Sequence, residues 1–139
     1  MKRKKKLLIA DDEKYPHDLL TKLLPGDDFD IIHAYDGKET LRLAKEQLPD
    51  LIVLDITMPL MDGRDICNIL KNDPETKNIK IIMLTAKDQQ YDRILGLELG
   101  ADDYITKPCS MNYLARRIEM ACDKSSGELV EPVWPVVSG

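Results

Sequence analysis

Aromatic residues are scarce in this 139-residue chain, which has one phenylalanine, one tryptophan and five tyrosines. The core must therefore be built mainly from Leu, Ile, Val, Met and Ala. Long apolar runs are also lacking, because no stretch approaches the ~20 residues of a membrane span. The apolar run Leu7–Ala10 is too short for a signal peptide. We therefore expect neither a membrane contact nor secretion.

Positive charge is outweighed, with 20 Lys and Arg against 25 Asp and Glu, a formal net charge of −5. This balance argues against nucleic acid as a partner of this chain. The basic run at residues 2–6 is interpreted as a solvated start to the first strand. Cys67, Cys109 and Cys122 lack the spacing of metal ligands. Free thiols without a secretory signal predict a cytoplasmic protein.

Short apolar runs alternate along the chain with helical patterns. Five runs predict strands, which begin at Lys6, Phe29, Leu51, Ile79 and Ala101. Each is followed by a helix pattern. Five βα units in succession predict an α/β fold, doubly wound around a mostly parallel sheet with helices on both faces. Periodicity alone leaves the strand order open.

Helix signals and the end of the pattern define the domain. Asp36 and Glu39 have the spacing of a capping box, and Ser110 can cap the last helix. The fourth predicted helix, marked by Tyr91 and Leu99, would end at Gly100. One domain is therefore expected over residues 1–123. Residues 124–139, which mix prolines, valines and the single tryptophan, are expected to form a tail or the start of a linker.

Acidic residues follow the first and third predicted strands. Asp11 and Asp12 end the first strand, and Asp55 ends the third. Carboxyl ends of parallel strands share one sheet edge, and three carboxylates there would repel one another. A divalent cation would relieve the repulsion, and oxygen ligands favour Mg2+ over Zn2+. The alternative is that Asp11 and Asp12 only cap the first helix.

A hydroxyl and an ammonium group follow the remaining strands. Thr85 ends the fourth strand, and Lys107 follows the fifth. Beside a carboxylate–metal cluster they could hold a transferred phosphoryl group, whose oxygens need donors and positive charge. Taken singly, Thr85 could be a helix cap and Lys107 a surface lysine. Pro108 also requires Lys107 to be extended or to precede a cis peptide bond.

These motifs together closely resemble the response-regulator receiver domain. The resemblance runs from about Lys5 to about Asp123 and is specific because each motif stands at its own strand end. The matching segments are Asp11-Asp12, Leu51–Asp55, Met58-Pro59, Asp62-Gly63, Leu84–Ala86 and Gly100–Pro108.

The resemblance implies a flavodoxin-like sheet with strand order 2-1-3-4-5. It implies that Asp55 is phosphorylated, and that Asp12, Asp55 and the Thr57 carbonyl bind Mg2+, with Asp11 acting mainly through water. It assigns phosphoryl contacts to Thr85 and Lys107. Tyr104 would turn inward as Thr85 moves; the alternative is a partly buried core tyrosine without a switching role. Thr57 and Lys87 would tune the lifetime of the phosphorylated state.

The implied partners are a sensor histidine kinase or histidine phosphotransfer protein, and a downstream effector or a missing output domain. The switching surface would lie on the fourth helix, fifth strand and fifth helix, and a homodimer could form there. The chain is expected to be a phosphoacceptor rather than an enzyme, with slow self-dephosphorylation.

Three other classes are weighed against this hypothesis. Haloacid dehalogenase phosphohydrolases also form an aspartyl phosphate, but Met58-Pro59 stands here where they carry a glycine–threonine pair. A receiver-like binding module without phosphorylation would lack an acidic position or the lysine. A flavodoxin would need a Ser/Thr-rich phosphate loop after the first strand, where Asp11, Asp12 and Glu13 would repel phosphate.

Overall fold

Five parallel strands form one sheet in the order β2-β1-β3-β4-β5. The structure is a computed structural model, which describes residues 3–59, 61–86 and 100–123. The strands are β1 (Lys5–Ala10), β2 (Phe29–Ala34), β3 (Leu51–Asp55), β4 (Lys80–Ala86) and β5 (Asp103–Lys107). The helices are α1 (Lys14–Leu23), α2 (Gly37–Gln47), α3 (Gly63–Lys71) and α4 (Met111–Cys122). The predicted fold class and strand order are confirmed.

Helix α4 is the fifth helix of the sequence prediction. The fourth predicted helix, with Tyr91 and Leu99, lies outside the described residues, and so do Lys87 and residues 124–139. Within the described ranges, no helix combines the length and apolar character needed to cross a membrane.

Two apolar layers enclose the sheet because successive strand side chains point to opposite faces. All of β3 is buried, as a continuous apolar run between two helical layers predicts. The layer against α2 and α3 includes Leu8, Ile52, Leu54, Ile66 and Ile81. The layer against α1 and α4 includes Leu7, Ile9, Val53, Leu114 and Ile118.

The predicted caps are present, with one difference. The Asp36 carboxylate accepts a hydrogen bond from the Glu39 N–H at 2.8 Å, and the Ser110 hydroxyl oxygen accepts one from the Tyr113 N–H at 2.9 Å. The Glu39 carboxylate, however, accepts from the Tyr35 N–H at 2.9 Å. A capping box would instead have used the N–H of Asp36 itself.

Strand β5 begins at Asp103, two residues later than predicted. The cause is Asp102, whose carboxylate accepts from the Ile81 N–H at 2.9 Å and whose own N–H donates to the Ile81 carbonyl at 2.8 Å. Asp102 thus bonds to Ile81 just before the strand, and regular pairing with β4 begins one residue later, at Asp103.

Gly63 is required where α3 begins, and Gly63→Ala should destabilise the protein. An added Cβ would lie 2.5 Å from the Ile56 Cα, a backbone atom that cannot move aside cheaply. We expect a loss of about 1–3 kcal/mol in the free energy of unfolding, measured in urea. Gly26→Ala is the matched control, because nothing lies within 4 Å of its added Cβ. Equal urea midpoints for the two variants would contradict this reading of the contact.

Candidate functional site

Three aspartates meet at the carboxyl edge of the sheet. Ala10 pairs with Leu54 in the β1–β3 ladder, so Asp11 and Asp55 each follow by one residue at the same edge. One carboxylate oxygen from each of Asp11, Asp12 and Asp55 lies within 4.8 Å of the other two. Asp11 and Asp55 are each 1% exposed, whereas Asp12 is exposed. This all-oxygen donor set could hold a hard divalent cation.

Both oxygens of the Asp55 carboxylate have donors. Oδ1 accepts from the Thr57 N–H at 2.9 Å and from the Thr57 hydroxyl at 2.7 Å. Oδ2 accepts from the Lys107 ammonium at 3.0 Å. Burial alone would raise the pKa of Asp55, but these donors outweigh it and hold that pKa below its ordinary value. Asp55 is therefore an anion at neutral pH.

Lys107 is the cation of the site. Burial acts to lower the pKa of its ammonium, but the hydrogen bond and the negative charge of Asp55 outweigh it and raise that pKa. The strand pairing brings Lys107 to the same sheet edge as Asp55. Asp55 pairs with Leu84 on β4, and Ala86, two residues further along β4, pairs with Lys107. The Lys107–Pro108 peptide bond is cis, one of the two geometries expected from the sequence.

Asp11 is held differently from Asp55. Its Oδ1 accepts from the Glu13 N–H at 2.9 Å, while its buried Oδ2 has no hydrogen-bond partner among the described residues. Burial raises the pKa of Asp11 to about 6, against the Glu13 hydrogen bond and with the help of the Asp55 charge. An unpartnered buried carboxylate oxygen beside two further carboxylates fits a cation ligand.

Thr85 supplies a second unpartnered polar atom at this edge. The residue is 1% exposed, and its hydroxyl has no hydrogen-bond partner in the described part of the chain. It pairs with Thr106, one residue before Lys107. A buried hydroxyl left without a partner costs free energy, so Thr85 is suited to bind a group that enters the site.

The remaining predicted site residues are placed as follows. Tyr104 is 2% exposed and lies in the core layer against α2 and α3. Thr57 is exposed, but its hydroxyl also donates a hydrogen bond to the Asp55 carboxylate. Lys87, predicted to tune the lifetime, lies outside the described residues.

The helix-cap alternative for Asp11 and Asp12 does not describe the local geometry. Helix α1 has Glu13 as its N-cap, and no side-chain capping hydrogen bond is formed there. The Asp11 carboxylate instead accepts a hydrogen bond from the Glu13 N–H two residues later, which forms an Asx-turn.

Sequence reasoning missed one residue at the site, His17, and one contact of a residue that it did predict, Thr57. The Thr57 hydroxyl bonds to Asp55, a contact that a short polar side chain two residues after a strand-end aspartate could have suggested. His17 lies 2.9 Å, through its Nε2, from the Asp11 carbonyl oxygen. No sequence signal pointed to that contact.

Asp11→Asn should stabilise the metal-free protein at neutral pH. A carboxyl whose pKa is raised from 3.8 to about 6 favours folding fully below about pH 4, and this contribution is lost as pH rises through 6. Removing the charge should therefore raise the free energy of unfolding by up to about 3 kcal/mol at about pH 7.5, with little gain at about pH 4. Urea unfolding in EDTA at both pH values measures it. An equal gain at the two pH values would contradict the pKa.

Comparison with known proteins places this chain in a family. The chain matches the model of the response regulator receiver domain over residues 7–119. It is 44% identical over an alignment of 142 positions to the alkaline phosphatase synthesis transcriptional regulatory protein PhoP of Bacillus subtilis (strain 168). That alignment covers 97% of this chain and 58% of the relative, so the chain spans only part of the relative's length.

Solved structures agree with the family model. The Francisella response regulator 1452 receiver domain superposes with a TM-score of 0.74 at 36% identity, covering 84% of this chain and 95% of that one. A signal receiver domain of a signal transduction histidine kinase from Syntrophus aciditrophicus gives 0.76 at 32% identity, covering 96% and 99%. The chain belongs to the response regulator receiver family of two-component signalling.

Proposed function

We propose that Asp55 accepts a phosphoryl group from a phosphohistidine on a sensor histidine kinase or a histidine phosphotransfer protein. One observation carries the proposal: Asp55 is a buried anion bonded to Lys107 and adjacent to two further carboxylates. Burying an ion pair costs desolvation free energy that the attraction between its charges often does not return, so a purely structural role for this pair would be unfavourable. The site lies at the sheet edge where ligands of open α/β folds bind.

In the transfer, a carboxylate oxygen of Asp55 forms a bond to phosphorus while the phosphorus–nitrogen bond of the phosphohistidine breaks. The bonding electron pair returns to the imidazole nitrogen, which takes a proton from solvent. The Lys107 ammonium and the Thr85 hydroxyl donate hydrogen bonds to the phosphoryl oxygens as charge develops there. Thr85 is free to do so because its hydroxyl has no partner among the described residues.

Asp11, Asp12 and Asp55 would hold Mg2+, with the Thr57 carbonyl as a further oxygen ligand and Asp11 acting mainly through water. When bound, Mg2+ offsets the carboxylate repulsion and stabilises the phosphoryl oxygens. The unpartnered Asp11 Oδ2 supports this assignment.

The modified site would be read out through Thr85 and Tyr104. A new bond from Thr85 to the phosphoryl group would favour one of two conformations, and Tyr104 would follow on β5. The surface of the predicted fourth helix, β5 and α4 would then bind an effector, an output domain or a second copy. Tyr113 and Met120, seven residues apart on α4, are 42% and 46% exposed, which supports an apolar contact surface.

Two extensions complete the proposal. The receiver domain would occupy residues 1–123, with 124–139 forming a C-terminal tail or the start of a linker. Thr57 and Lys87 would border the path of hydrolytic water and so set the lifetime of the phosphorylated state, while the chain itself would catalyse no turnover of other substrates.

Intact-mass spectrometry after incubation with acetyl phosphate tests the proposal. With Mg2+ the mass should rise by one phosphoryl group per chain, and with EDTA it should stay unchanged. Turnover of small phosphate esters, with release of inorganic phosphate at many equivalents per chain, would indicate a phosphohydrolase instead. Equal uptake in EDTA, or no uptake with Mg2+, would contradict the proposed site.

A further inference from the structure

We propose that His17 is a positioning residue that sets the direction of the Asp11–Asp12 peptide and so prepares the carboxylates for a divalent cation. The inference rests on the proposed Mg2+ site. His17 lies on α1, is 1% exposed, and places Nε2 2.9 Å from the Asp11 carbonyl oxygen. It contributes no ligand itself.

The hydrogen bonds around His17 have a defined direction. The Asp11 carbonyl can only accept, so His17 Nε2 carries the proton. His17 Nδ1 lies 2.7 Å from His33 Nδ1, and in a neutral His17 it can only accept, so His33 Nδ1 must donate. Burial and the neighbouring His17 lower the pKa of His33, which favours a neutral His33 ring. When His17 is neutral, one donor chain runs from His33 through His17 to Asp11.

Asp11 is thereby fixed on three sides. Its N–H donates to the Ala34 carbonyl at 3.2 Å, its Oδ1 accepts from the Glu13 N–H, and its carbonyl accepts from His17. The Asp11 carbonyl and the Asp12 N–H belong to one planar peptide unit. Holding the carbonyl therefore fixes the direction in which the chain enters Asp12.

Asp12 depends most on this support. It is exposed, so packing does little to hold it in place, yet its carboxylate is one of the three that converge. Cation ligands need to be held within about 0.5 Å of a productive geometry. A buried donor on the preceding carbonyl supplies part of that restraint.

The histidine is itself well supported. The Tyr35 ring centroid lies 4.2 Å from that of His17, and the Thr21 hydroxyl donates to the His17 carbonyl at 2.7 Å. Asp11 directly follows β1, His33 lies near the end of β2 and Tyr35 follows it, so these contacts tie α1 to the ends of β1 and β2.

Mg2+ titration of the full chain, followed by NMR of 15N-labelled backbone amides, tests the inference. His17→Leu fills the buried position with an apolar side chain but loses the donor, and should weaken Mg2+ binding about tenfold, the low end for loss of a supporting hydrogen bond. His17→Gln can place its amide nitrogen near the Nε2 position and should recover most of the affinity. Leu20→Ala is the control, because Leu20 is a fully buried core residue of the same helix.

The control separates positioning from general destabilisation. Leu20→Ala should lower the free energy of unfolding by about 2–5 kcal/mol and leave the Mg2+ dissociation constant unchanged. An unchanged dissociation constant in His17→Leu, or equal weakening in Leu20→Ala, would overturn the inference while leaving the proposed function intact.

Ring 15N spectra provide an independent readout. They should show a proton on Nε2 of His17 and on Nδ1 of His33 in the wild type. Absence of Mg2+ binding by the wild type would overturn the proposed function and, with it, the effect on affinity. A His17 protonated only at Nδ1 would overturn the contact with Asp11 whatever the protein binds.

Discussion

Asp55→Asn should abolish phosphoryl uptake from acetyl phosphate. An amide oxygen is a poor nucleophile, and the substitution also removes the charge that Lys107 neutralises at 3.0 Å. We expect no mass increase after an incubation that phosphorylates the wild type, measured by intact-mass spectrometry in the presence of Mg2+.

Asp65→Asn is the matched control for that experiment. Asp65 is an exposed residue in the first turn of α3, and the same change of charge there should leave uptake unaltered. Full uptake by Asp55→Asn would mean that another residue is the acceptor.

Lys107→Met should slow uptake by about 10²–10³-fold, the loss that follows removal of one donor to developing oxyanion charge. Methionine keeps an unbranched apolar side chain but supplies no positive charge. The same substitution should raise the pKa of Asp55, because the ammonium is one of the groups that hold it below its ordinary value. A time course of intact mass at fixed acetyl phosphate gives the rate.

Lys14→Met controls for loss of a lysine ion pair as such. Lys14 pairs with Asp18 on the surface of α1, where its side chain is 77% exposed, and its removal should leave the rate unchanged. If Lys107→Met were phosphorylated as fast as the wild type, Lys107 would serve only the fold.

The two buried aspartates illustrate how one pocket separates two roles. Donors from Thr57 and Lys107 hold the pKa of Asp55 down, whereas burial raises that of Asp11 to about 6. The better stabilised anion is the proposed nucleophile. Asp11, the less stabilised anion, would be stabilised most by a nearby cation. The environment of each aspartate, not its residue type, therefore assigns its role.

Sequence patterns predicted the sheet because burial on two faces leaves a continuous apolar run, as at Leu51–Leu54. They also predicted which polar residues share an edge, since parallel strands end together. The entry to β5 was predicted two residues too early because the sequence does not show that the Asp102 carboxylate accepts from the distant Ile81 N–H.

The contact from His17 could not be predicted in this way. A histidine on the apolar face of a short helix resembles an ordinary core residue, and its bond to Asp11 depends on how α1 packs against the ends of β1 and β2. Directions of single hydrogen bonds follow from tertiary packing, which periodicity does not record.

The most direct test of the central claim is to locate the phosphoryl group. Borohydride reduces an aspartyl phosphate to homoserine, and peptide mapping then identifies the changed position. After treatment with acetyl phosphate and Mg2+, homoserine should appear at residue 55 and at no other aspartate. Homoserine at another position, or a phosphoryl group retained on a histidine, would contradict the account.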